Sequence, residues 1–289
     1  MVDLHLHLEN YEYTPQSIAQ FLLHGSERGI SEFGFSEHSH HFKQFKDMYF
    51  RNAILDESEI GEFQQRWLNQ GEKSFIYDLD DYVELIETEK SKGHPIKLGI
   101  EVCYFPGEEE FLKNLLAKYP FDYIIGSVHW LDGWAFDMKA ELWQGKDVDA
   151  VFSQYLDHFV QSIESRLFQT VAHPFSCQVF GAEPKNFDWD QAFLKIALAA
   201  KANQVAIEMN SGLAYRYPFK RITPPIGLLL KGSQLACDFS LGSDAHKAED
   251  CGRGLAYFHR LSQDLGLNYL VNFCRLERIE IPLKDEGLI

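Results

Sequence analysis

The chain opens on Val2-Asp3-Leu4-His5-Leu6-His7, an aspartate and two histidines alternating with apolar residues. In an extended strand, residues i, i+2 and i+4 leave one face. The spacing therefore predicts that Asp3, His5 and His7 project together, with the two imidazoles adjacent, a geometry suited to one metal ion. A polar strand edge, with histidines hydrogen-bonded to backbone, accounts equally well for an isolated pair of this kind.

Comparable groups recur downstream. Phe35-Ser36-Glu37-His38-Ser39-His40-His41 follows a second apolar stretch; His38 is the candidate ligand, and His40 and His41 read as well as solvated loop residues. Glu101 sits inside Leu98-Gly99-Ile100-Glu101-Val102, where an unpaired buried charge is costly and a metal partner would remove the conflict. A structural salt bridge is the plain alternative for Glu101, as it is for Glu208 after Ala206-Ile207. Gly126-Ser127-Val128-His129 and Val171-Ala172-His173-Pro174 each end an apolar run with a histidine, and Pro174 stops its strand by removing an amide donor. Leu241-Gly242-Ser243-Asp244-Ala245-His246 brings out a carboxylate and an imidazole two residues apart. Six of the twelve histidines, His5, His7, His38, His129, His173 and His246, thus fall at strand ends beside acidic residues. Nitrogen and oxygen donors without a required thiolate suit zinc, iron or manganese alike.

The elements that must position these groups follow a rhythm of short apolar strand, polar residue, amphipathic helix, which is that of parallel βα units. The pattern predicts strands at Val2–Leu6, Glu32–Phe35, Lys97–Val102, Tyr123–Ser127, Thr170–Ala172, Val205–Met209 and Cys237–Leu241. Helices are expected at Pro15–Arg28, Leu79–Ser91, Glu108–Ala117, Val148–Leu167, Asp190–Lys201 and Thr223–Gly232. Seven such units indicate an α/β barrel, whose active site is built from loops at the C-terminal strand ends. Residues 39–93 are long for a βα connection, rich in aromatics and charges, and read as an elaborated, partly helical loop that could cover the site.

Bulk properties narrow the partners. A net charge of −16 over 289 residues, with no basic block, argues against nucleic acid and anionic membrane surfaces and favours a small substrate. Five cysteines without a CxxC pair point to a reducing compartment. The early strand motif leaves no room for a signal region, and no apolar run approaches the roughly 20 residues of a membrane helix, so the expected location is the cytoplasm. No linker or repeat divides residues 1–289, and one domain is the expectation.

The ordered set HxH, EH, in-strand Glu, SVH, HP and SDAH, spread over nearly the whole chain, resembles the PHP (polymerase and histidinol phosphatase) superfamily. The stretches Gly99-Ile100-Glu101-Val102, Gly126–Gly133 with Trp134, and Asn210-Ser211-Gly212-Leu213 look like its histidinol-phosphatase branch. The resemblance implies a distorted (β/α)7 barrel holding two or three divalent ions. It places His5, His7, Glu101 and Asp244 on the first ion, Glu101, His129 and His173 on the second, and His38 and His246 on a third. Family members commonly carry His or Asp where this chain has Tyr13; either Glu9 or Glu12 substitutes, or the third position is weak or absent. A basic phosphate-holding residue often found after the HP motif is replaced by Gln178, whereas Arg216 matches a basic position of the branch and is the candidate for gripping phosphate. The expected chemistry is in-line attack of metal-activated water on L-histidinol phosphate, with Asp244 as proton acceptor and His246 or a water on the third ion assisting the leaving alkoxide. Another small phosphate ester or phosphodiester, and a metal-stabilised module without turnover, are the alternatives.

Overall fold

Seven short strands, each buried along almost its whole length, carry the architecture. In the computed structural model, which describes residues 1–70, 74–217 and 221–283, the strands in chain order are β1 (Val2–Leu6), β2 (Glu32–His38), β3 (Ile96–Cys103), β4 (Tyr123–Ser127), β5 (Trp130–Leu131), β6 (Trp134–Ala135), β7 (Thr170–Val171), β8 (Ala206–Asn210), β9 (Phe239–Gly242), β10 (Tyr269–Cys274) and β11 (Glu277–Pro282). The helices are α1 (Pro15–Glu27), α2 (Lys46–Asn52), α3 (Glu59–Gln70), α4 (Leu79–Ser91), α5 (Glu109–Leu116), α6 (Val148–Glu164), α7 (Trp189–Asn203), α8 (Gly212–Arg216), α9 (Ile226–Gln234) and α10 (Leu255–Asp264).

Strands β1, β2, β3, β4, β7, β8 and β9 form one sheet in that order, and every adjacent pair is parallel. Strands buried on both faces are what a sheet covered by helices requires, which explains the near-continuous apolar runs. The two edges meet beyond β9, where His7 N–H donates to Ala245 O at 2.9 Å and Ala245 N–H to His5 O at 3.2 Å. The result is a nearly closed, distorted (β/α)7 barrel. Its interior is filled by Val2, Leu4, Tyr123, Ile125, Ala172 and Ala206, and the hairpin β10–β11 adds Val271 and Phe273. Tyr123 crosses that interior to donate to Leu4 O at 2.7 Å. Its ring occupies the space that a Cβ at Gly34 or Gly99 would need.

Local signals set the helix ends. Thr14 caps α1 by accepting from Ser17 N–H, with Pro15 at its first position, and Asp78, Asp147 and Asp188 cap α4, α6 and α7 in the same manner.

The segment expected as an elaborated, partly helical loop is mostly helical: α2 and α3 lie over the cleft, and α4, the crossover from β2 to β3, has the expected bounds Leu79–Ser91; residues 71–73 lie outside the described residues. The periodicity reading missed α10 and the β10–β11 hairpin. Among the described residues no helix is long and apolar enough to cross a membrane.

Candidate metal centre

Parallel pairing brings the chemistry-bearing residues to one end of the barrel. In the β2–β3 register His38 lies opposite Glu101, and His38 Nε2 is 3.3 Å from Glu101 Oε2. The same oxygen is 3.2 Å from His5 Nε2 and 3.6 Å from His7 Nε2. The other oxygen, Oε1, is 3.1 Å from His129 Nε2 and 3.0 Å from His173 Nε2. One carboxylate, 2% exposed, is therefore shared among five imidazoles that arrive from β1, β2, β4 and β7. Asp244 follows β9 and turns Oδ1 toward His7 at 3.4 Å, His246 at 3.5 Å and His5 at 4.0 Å. Both His173 and Asp244 are held at positive φ, 32° and 53°, conformations that persist at functional sites because the surroundings over-determine them.

A second ring of groups orients the first. His5 Nδ1 donates to Glu208 Oε1 at 2.5 Å and His129 Nδ1 to Asp137 Oδ2 at 2.5 Å, which leaves each Nε2 to face Glu101. A carboxylate on the far nitrogen fixes the tautomer of a metal-binding imidazole. Glu208 was open to a purely structural reading; it packs where a Cβ at Gly242 would collide with it and would come within 2.6 Å of His5 Cβ. Glu37 accepts from Leu8 N–H at 2.8 Å, with Oε1 3.5 Å from Nδ1 of His7 and of His38 and 3.4 Å from that of His41. Glu37, Asp137 and Asn210, which donates to Glu208 Oε2 at 2.9 Å, were not singled out from the sequence. Glu37 stood beside His38 in the EH pair and Asn210 headed the Asn210–Leu213 stretch, each without a role; Asp137 carries no signal.

Charge balance is strained without cations. Burial alone would raise the Glu101 carboxyl, but His5 and His38 hold it well below the usual range. Burial likewise opposes charge on His7 and His129, yet Asp244 and Glu37 push His7 up to about 9, and Asp137 and Glu101 push His129 up to about 10. His38 is driven down to about 3, by burial and then by His7. Both ring nitrogens of fully buried His7 lack a hydrogen bond, a costly state that metal ligation resolves. Donor atoms of His5, His7 and Asp244 converge within 4.8 Å of one another, as do those of Glu101, His129 and His173, and those of His7, His38 and His246. These residues fit divalent metal ions.

Several expectations change. Asp3 does not join the ligand atoms: it accepts from the N–H groups of Ser243 at 2.9 Å, Gly252 at 2.9 Å and His5 at 3.3 Å, tying β1 to the segment beyond β9. His41 is no solvated loop residue, for it is fully buried beside Glu37. Glu9, not exposed Glu12, reaches the cluster, within 3.9 Å of His38 and 3.7 Å of His246. Gln178 is buried beside a separate small crevice with Pro174 and Leu213 and does not line the cleft over the cluster. Arg216, at the end of α8, does: it donates to Asp244 Oδ2 at 3.1 Å and lies against His246. That cleft, about 300 Å³, is floored by Glu9, His38, His129 and His246 and walled by Tyr49, Phe63, Trp67 and Trp130.

Comparisons with known proteins agree with this geometry. A family model described as PHP domain matches residues 3–212. A Deinococcus radiodurans protein named "Probable histidinol-phosphatase" is 27% identical over 208 residues, 70% of this chain and 78% of that one. A Schizosaccharomyces pombe protein of the same name is 22% identical over 266 residues, 87% of this chain and 81% of its own. The crystal structure of a histidinol phosphate phosphatase from Lactococcus lactis, a complex with zinc, L-histidinol and phosphate, superposes with TM-score 0.71 at 17% identity, covering 96% of this chain and 98% of that one.

Proposed function

The chain belongs to the PHP domain family, and from that premise we propose that it is a metal-dependent phosphatase that hydrolyses a small phosphate monoester, with L-histidinol phosphate as the favoured substrate. What carries the reading is one arrangement: a buried carboxylate, Glu101, shared by five imidazoles, with Asp244 and Arg216 beside it at the floor of an open cleft. The names of the relatives and the ligands of the Lactococcus protein support the substrate.

We assign His5, His7, Glu101 and Asp244 to one ion, Glu101, His129 and His173 to a second, and His38 and His246 to a third. Divalent ions at such positions bring the pKa of bound water toward neutrality and neutralise phosphoryl charge. Zinc, iron and manganese all suit the donors.

The chain's own groups then divide the work. Asp244, held ionised against burial by Arg216 and His5, keeps Oδ1 toward the imidazoles and Oδ2 toward Arg216, and is placed to accept the proton of an attacking water. Arg216 presents its guanidinium to the phosphoryl oxygens, where its planar fork suits bidentate binding. His246, kept neutral by burial and then by Arg216 and His7, would assist the leaving oxygen through a water on the ion it helps hold. Aromatic walls from Tyr49, Phe63, Trp67 and Trp130 suit a flat heteroaromatic leaving group. Five free cysteines, four of them buried, fit a reducing setting, and a cytoplasmic location is part of the same proposal.

Phosphate release from L-histidinol phosphate, run beside a panel of phosphomonoesters and one phosphodiester with metal content counted, is the test. Preference for histidinol phosphate is expected. Preference for another ester would replace the substrate and keep the mechanism; no turnover by metal-loaded protein would overturn the enzymatic reading.

A further inference from the structure

Where the family resemblance leads to a metal-binding His or Asp, this chain has Tyr13, whose ring is stacked on Tyr77 at 4.2 Å. We propose that His41 and Glu9 together take over that ligand role, completing with His38 and His246 the position of the third ion. The inference rests on the metallophosphatase reading above and adds to it a donor set specific to this chain.

Residues Ser39–His41 form a 3-10 turn directly after His38, and residues three apart on such a turn lie over one another. His38 and His41 accordingly face the same region, with ring centroids 5.6 Å apart. His41 is oriented from behind: its Nδ1 is 3.4 Å from Glu37 Oε1 and 3.5 Å from the Tyr13 hydroxyl. That contact turns Nε2 the other way, to 3.8 Å from Glu9 Oε2. The same Glu9 oxygen is 3.9 Å from His38 Nδ1, and Glu9 Oε1 is 3.7 Å from His246 Nε2. The Glu9 carboxylate thus sits among three imidazole nitrogens at separations too long for hydrogen bonds. With metal–ligand distances of about 2.0–2.2 Å, two donors on one ion stand roughly 3 Å apart when adjacent and roughly 4 Å apart when opposed, so the observed spacings are those an ion would span. Asn10 braces the arrangement, its Nδ2 3.3 Å from Glu9 Oε1 and 2.8 Å from His246 O. A donor atom of His40 also lies within 4.8 Å of those of His38 and His41, but its ring packs on Trp67, ring centroids 5.0 Å apart, at the cleft wall, and we leave it off the ion. Tyr13 is left as a positioning residue that acts through His41.

The test counts zinc on the full chain, loaded with Zn²⁺ and dialysed against metal-free buffer, by elemental analysis, with circular dichroism reporting the fold. Three ions per chain are expected for the unaltered protein and for His40→Ala, and two for His41→Ala and for Glu9→Ala. His41 is buried, so should His41→Ala fail to fold, anomalous zinc diffraction from crystals of the unaltered protein decides: an ion about 2.0–2.1 Å from His41 Nε2 is expected. Three ions retained in folded His41→Ala or Glu9→Ala, two ions in the unaltered protein, or no anomalous peak beside His41 would overturn the assignment and leave the other two ion positions intact. An unaltered protein that binds no zinc at all would instead remove the metallophosphatase reading on which it rests.

Discussion

Glu101 offers two oxygens to five imidazoles, and the carboxylates behind those imidazoles decide how well the centre holds metal. Asp137 is the clearest case, because its one side-chain hydrogen bond among the described residues, 2.5 Å to His129 Nδ1, orients that imidazole without lining up on Glu101 itself. Asp137→Asn should weaken metal affinity by about 10–100-fold, the usual effect of losing such a partner. Chelator competition measures it, and turnover should recover at saturating metal; turnover that stays low there would place Asp137 on the substrate. Arg216 is tied to Asp244 yet keeps donors for the cleft. Arg216→Ala should raise KM and the inhibition constant of inorganic phosphate by roughly 10–100-fold, on the order of the 1.5–3 kcal/mol of a hydrogen bond to a charged group. An unchanged phosphate inhibition constant would remove it from the phosphate site.

At the scale of the elements, the barrel places its ligands only because its interior is closed below them. Tyr123 fills the space between Gly34 and Gly99 and holds Leu4 O at 2.7 Å, one residue before His5. A methyl at position 99 would meet that ring, and overpacking of this kind costs about 1–3 kcal/mol. Gly99→Ala should therefore lower the denaturant midpoint with an unchanged slope, and the displaced β1 should lower metal affinity as well. A midpoint equal to the unaltered protein's would show that the ring moves aside freely. The added helices α2 and α3 act on the other side of the ligands, bringing Tyr49, Phe63 and Trp67 over the cleft.

Over the whole molecule, acidic groups outnumber basic ones by 16, and the centre repeats that excess in a buried setting where cations matter most. In metal-free protein the balance is struck by protons. His7, raised to about 9, and His129, raised to about 10, contribute stability that is complete below their unfolded value near 6.5 and lost as pH climbs through 9–10. Glu37 and Glu101, held well below the ordinary value of 4.5, contribute above about pH 4.5 and lose that on acidification. His38, driven down to about 3, and His40 and His246, held well below 6.5, cost stability as pH falls below 6.5, so stripped protein should be most stable near pH 6.5. Metal-loaded protein should shift its optimum upward, because metal and protons compete for the same imidazoles. Urea midpoints from pH 4 to 9, with and without chelator, check both; a stripped protein that gains stability from pH 6.5 to 9 would contradict the assignment of charge.

The seven strands were legible in the sequence, β1 and β4 to the residue at both ends, because an apolar run that ends in a polar residue is a local pattern. So were the histidines and carboxylates at the strand ends, since their types and order are local too. Which of them meet was settled by the fold. His5 and Glu208 are 203 residues apart, and His129 and Asp137 join across a small hairpin. His41 and Gln178, alike in being polar residues just beyond a strand-end histidine, part company in three dimensions, one buried against Glu37 and the other turned to a separate crevice. Residue type and strand-end position follow from chain chemistry alone; the partner of each side chain depends on where the barrel closes, and that is set by contacts between segments distant in sequence.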